Sequence, residues 1–124
     1  MPSYSAATIL LFGITSFAAG ATSLIWPAPT LAALDLPTSA LPAARGNSLA
    51  AIAMGIYYTL GAYQNNRAFF LATVPMRLLT TAVFWGQNWR AAALWEGIGA
   101  LLTGLALGYE HVAAQPGSPK GKKT

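Results

Sequence analysis

Of the 124 residues, 55% are hydrophobic and only 8% charged, against roughly 25% charged in an ordinary soluble domain. So little polar surface cannot coat a water-exposed globule, whereas a bilayer needs no such coat, and the chain reads as an all-α integral membrane bundle of four transmembrane helices. The formal charge of +4 does not point to nucleic acid: three of the seven basic residues, Lys120, Lys122 and Lys123, crowd the last five positions, and basic and aromatic residues do not interleave as a single-strand binder requires.

The first run, 6–26, is long enough to cross a hydrocarbon core that takes about 20 helical residues, and no charge interrupts it. A cleaved signal peptide is the competing reading, with small residues at Ala18, Ala19, Gly20 and Ala21. The run lacks a basic leader, and Trp26 before Pro27 reads as an interfacial anchor and helix stop, so a retained first span is expected. Pro27, Pro29, Pro37 and Pro42 then predict the longest loop, with one helical turn in the interface and Asp35 within it.

A second helix is expected over 46–64, capped by Asn47 or Ser48, entered past Arg45 and carrying Tyr57, Tyr58 and Tyr63 near its far end. Gln64-Asn65-Asn66-Arg67 predicts a tight polar turn into a third helix over 68–86, interrupted by Pro75. Gly86-Gln87-Asn88 turns the chain again into a fourth helix over 90–109. Residues 113–124 read as a disordered basic tail. Four spans put both termini on one side, which carries Arg67 and the three tail lysines against Arg45 and Arg90 opposite, so the positive-inside rule predicts cytosolic termini.

Two charges interrupt the last two apolar runs. At about 1.5 Å of rise per residue, Arg77 lies roughly 13 Å and Glu96 roughly 11 Å below the joining turn, so the two can meet. Ions inside apolar helices are costly unless paired or wet, which makes this pair either an internal clamp or a site for a polar ligand group. Glu96, Ala100, Gly104 and Gly108 recur at i+4 as a stripe of small residues where another helix approaches. Thr73, Arg77, Thr80, Thr81 and Phe84 share the facing side of the third helix and offer Arg77 hydroxyl neighbours.

A phenol can donate a proton, and because neighbouring residues point about 100° apart, only one of Tyr57 and Tyr58 can face the axis. The candidate catalytic set is therefore Glu96, Arg77 and Tyr58. His111, the only histidine, stands at the membrane edge beside Glu110; without a second histidine or any cysteine, no metal and no cofactor are expected. Gly-rich phosphate loops and a Gly-x-Ser-x-Gly motif are absent. Lys120 and Lys122, five and three places from the end, look like the dilysine retrieval signal of endoplasmic-reticulum membrane proteins; an electrostatic anchor on anionic lipid would use the same residues.

The Ala-Thr-Ser-Leu-Ile-Trp-Pro end of the first span, the Ala-Arg-Gly-Asn entry to the second, the Gln-Asn-Asn-Arg turn, Arg77 and Trp95-Glu96-Gly97 resemble the small, fungal-type DoxX-like four-helix membrane proteins over residues 6–110. That resemblance implies a membrane bundle without a settled activity. Two main readings follow. One is an endoplasmic-reticulum accessory protein that binds or helps process a small hydrophobic metabolite of a biosynthetic pathway, with a membrane-protein partner or a second copy. The other is a membrane enzyme, of isomerase, cyclase or oxygenase type, acting on a lipophilic substrate through Glu96 and Arg77. A transporter component is a third and poorer fit, because four short helices form a pore only by oligomerising.

Overall fold

The computed structural model describes residues 3–114. Among them the chain is helical throughout, with no strand: α1 (Tyr4–Ile25), α2 (Ala28–Ala33), a 3-10 turn (Thr38–Ala40), α3 (Leu41–Tyr63), α4 (Arg67–Gly86) and α5 (Arg90–Ala114). Three of these, α1, α4 and α5, are long and apolar enough to cross a membrane. With 23 residues, α3 has the length, but Arg45, Asn47, Ser48 and three tyrosines dilute its apolar run.

Helix starts and stops follow local chemistry. Ser3 opens α1, its Oγ accepting from the Ala6 amide at 3.1 Å, and Asn66 caps α4 by accepting from the Phe69 amide at 3.1 Å. Asn65 (φ 51°), Asn88 (φ 66°) and Asp35 (φ 56°) take the left-handed conformation that Asn and Asp tolerate best. The proline-rich stretch holds two short helical pieces rather than one, joined across Asp35.

The second long helix departs from expectation. It begins at Leu41, five residues early, and neither Asn47 nor Ser48 caps it; the Ser48 hydroxyl instead donates to the Ala44 carbonyl within the helix. Pro42 is the reason: in a first turn a proline loses no intrahelical hydrogen bond and its fixed φ suits the helix. The fourth helix runs five residues past its expected end, to Ala114. α4 continues through Pro75 without a break in its helical assignment. Tail residues beyond 114, including Lys120 and Lys122, lie outside the described residues.

The chain divides into two compact units. In the unit of residues 10–60, α1 and α3 cross almost backbone to backbone. A Cβ built on Gly20 would stand 2.7 Å from the Ser48 carbonyl oxygen, and one on Gly55 would stand 2.6 Å from the Phe17 Cβ and 2.7 Å from the Gly13 oxygen. That approach lets the buried Ser16 hydroxyl donate across the interface to the Ala51 carbonyl at 2.9 Å. It is the small-residue packing of membrane helices, in which dispersion and interhelical hydrogen bonds replace a hydrophobic drive.

The unit of residues 3–9 and 61–114 is built on the antiparallel α4–α5 hairpin, closed over its turn by Phe84 stacking on Trp89 and by the Arg90 guanidinium 4.3 Å above the Trp85 ring. The first turns of α1 pack at the opposite end: Ser3 donates to Asn65 at 2.9 Å, and the Tyr4 and Tyr109 rings meet edge-on. The start of α1 and the end of α5 therefore share one end of this unit. In both units polarity is inverted relative to a soluble protein. Ser5, Ser16, Ser48, Thr73, Arg77, Glu96 and Thr103 are buried while Leu71, Leu101 and Leu105 are exposed, the distribution a lipid environment favours.

Gly55→Val forces its side chain into backbone and should lower stability by about 1–3 kcal/mol. Gly46 has nothing within 4 Å of its would-be Cβ, so Gly46→Ala should be neutral or gain up to about 1 kcal/mol. Circular-dichroism unfolding in mixed micelles with rising dodecyl sulfate separates the two; equal behaviour would show that α1 and α3 do not cross as described.

Candidate functional site

The α4–α5 hairpin brings Arg77 and Glu96 together. Both are buried, at 2% and 5% exposure, and Arg77 is among the largest fully enclosed side chains. Arg77 Nε stands 3.9 Å from Glu96 Oε1, near enough for strong attraction in a low-dielectric interior but beyond the 2.7–3.2 Å of a typical hydrogen bond. Glu96 Oε1 is enclosed and accepts no hydrogen bond from any described residue. A buried acceptor left in that state costs about 1–3 kcal/mol, and more when charged.

Arg77 is held by something the sequence reading did not single out. The hydroxyls of Thr73, Thr80 and Thr81, expected to surround it, bond instead to carbonyls of their own helix, at Phe70, Met76 and Arg77. Its hydroxyl partner comes from α5: Arg77 Nη1 donates to Thr103 Oγ1 at 3.3 Å. Thr103 in turn meets Thr8 of α1 at 2.8 Å, and Thr8 donates to the Ser5 carbonyl at 2.7 Å. A hydroxyl has one proton, so Thr8, having spent its own on Ser5, accepts from Thr103. The order is thereby fixed: guanidinium to Thr103, Thr103 to Thr8, Thr8 to backbone.

The same unit ends in a second charged cluster. Glu110 accepts the Ser5 amide at 3.0 Å and the Ser5 hydroxyl at 2.6 Å, and pairs with Arg67 at 2.9 Å. Glu110 had been read only as a membrane-edge neighbour of His111. The register that sets Arg77 against Glu96 also carries Arg67 to the level of Glu110, which was the available signal.

The expected stripe on α5 is only partly a contact face. Glu96 and Ala100 are buried and a Cβ built on Gly104 would stand 3.8 Å from Val74, but one built on Gly108 would meet nothing within 4 Å. Steps of four residues advance about 40° too far around a helix of 3.6 residues per turn, so the stripe drifts off the interface. The buried face alternates steps of three and four instead, through Ala93, Glu96, Ala100, Thr103 and Leu107.

Tyr58, the third expected site residue, belongs to the unit of residues 10–60. It is the buried member of its pair: its ring lies 5.2 Å from Phe12, while Tyr57 is 61% exposed. Tyr63 is almost fully exposed at the end of α3, and His111 is exposed near the end of α5.

Two stability comparisons follow. Removing one partner of a buried pair strands the other, so Arg77→Met and Glu96→Gln should each cost about 3–5 kcal/mol while the double change costs less than their sum; strictly additive losses in detergent unfolding would show that the residues do not interact. At the second cluster Ser5 is enclosed but Arg67 is 44% exposed. Ser5→Ala should therefore cost about 1.5–3 kcal/mol, against about 0–1 for Arg67→Gln; the reverse order would place the strength of the cluster in its ion pair. The chain matches no family model, no curated protein and no solved structure, so the arrangement is read from its own residues.

Proposed function

We propose that this is a small DoxX-like accessory protein of the endoplasmic-reticulum membrane, with α3 as a fourth span and both termini cytosolic, that binds a small lipophilic metabolite at the Arg77–Glu96 pair and serves a biosynthetic pathway. The observation that carries the reading is the 3.9 Å separation of two buried charges, with one carboxylate oxygen accepting no hydrogen bond. A pair retained for packing alone is best served by a closed, fully hydrogen-bonded geometry. An open pair inside an apolar hairpin retains capacity to hold a polar group on a molecule that already partitions into lipid. A carboxylate beside a guanidinium suits holding a polar group, so binding is favoured over catalysis.

Topology and role are tested together. Glycosylation acceptors fused at either terminus should remain unmodified, and changing both Lys120 and Lys122 to Ser should move the protein out of the endoplasmic reticulum; modification at either end, or unchanged location, counts against the assignment. In cells, the Arg77→Met/Glu96→Gln protein should persist at near-normal abundance while output of the pathway's lipophilic product falls. Normal output from the double variant would make the pair a packing clamp.

A further inference from the structure

The polar group that Glu96 receives can be specified further, on the footing of the binding function proposed above. Glu96 lies one helical turn from Ala93 and from Ala100, both fully buried, and the adjoining Gly97 faces the Thr81 side chain. The adjoining turns of α5 thus carry small residues, and no described donor reaches Oε1. Arg77 is close but restrained: one arm of its guanidinium is committed to Thr103, whose own proton goes to Thr8. The atom that faces Glu96 is Nε, at 3.9 Å, distinct from the Nη1 that Thr103 holds.

We infer that Glu96 Oε1 is the acceptor for a neutral O–H donor, and that the ligand class is a lipophilic alcohol or phenol anchored by its hydroxyl. A carboxylate oxygen that is enclosed rewards a donor and rejects a group that can only accept, because an ether oxygen brought to the same place leaves Oε1 without a hydrogen bond and adds lone-pair repulsion. An anionic ligand is disfavoured by the charge of Glu96 itself. Arg77, with Nη1 on Thr103, leaves Oε1 without a hydrogen bond and so able to accept from the hydroxyl. Water offers the same O–H chemistry, and discrimination between alcohol and ether separates it from an organic ligand.

The test uses the full chain in nanodiscs, with empty nanodiscs subtracted, and measures saturable binding of labelled decanol in competition with its methyl ether. Decanol should bind at least about tenfold more tightly than the ether, a difference of about 1.4 kcal/mol. Glu96→Met should bring the two to equal affinity. Equal saturable binding of alcohol and ether by the unchanged protein, or a ratio that survives Glu96→Met, overturns the hydroxyl anchor and leaves the binding function standing. If neither probe binds saturably, water is the only O–H donor that Glu96 meets, and both the anchor and the binding function fall.

Discussion

A guanidinium enclosed in an apolar hairpin has to be answered from within, and the need to answer Arg77 governs the unit around it. The polar contacts described for its guanidinium come from a neighbouring helix: Glu96 and Thr103 from α5, and through Thr103 the first turns of α1. One side chain thereby ties three segments distant in sequence. Its donors are divided between the two: Nη1 goes to Thr103, while Nε faces the carboxylate at 3.9 Å.

The same economy appears at the end of the unit where α1 begins. Glu110 takes two hydrogen bonds from Ser5 and a third from Arg67, so the start of α1, the start of α4 and the end of α5 are joined on one carboxylate. Thr8 and Ser5 link that cluster to the buried pair, giving a continuous polar line along one side of an otherwise apolar assembly. Along this line the Ser5 amide and hydroxyl and Arg67 are spent on Glu110 and the Thr8 hydroxyl on the Ser5 carbonyl, whereas Glu96 Oε1 keeps acceptor capacity.

How much of this was legible in the sequence depended on axial or angular information. Heights along a helix follow from counting residues away from a short turn, so the meeting of Arg77 with Glu96 could be read directly, and the pairing of Arg67 with Glu110 was readable by the same count. Angles were harder. The i+4 stripe from Glu96 to Gly108 drifts around the helix, and Thr103, one step of three beyond Ala100, carries no mark in the sequence that separates it from any other threonine in an apolar run. Pro42 was ambiguous for a related reason: a proline breaks a helix interior but opens a helix well, and only the course of the chain before it decides which. The buried Tyr58 and exposed Tyr57 follow the 100° rule, which predicts that one faces inward without saying which.

The crossing of α1 and α3 bears on the order in which the chain can pack. During synthesis α1 emerges first and presents Gly13, Ser16 and Gly20 along one side. α3 follows with Ser48, Ala51 and Gly55, close enough that glycine backbones touch and a serine hydroxyl finds a carbonyl across the gap. Ser48 is thereby buried against a helix already made, while Arg45 and Asn47 stay exposed. The face that receives α3 is thus encoded in the sequence of α1, and the two helices are better regarded as one packing unit than as two independent helices.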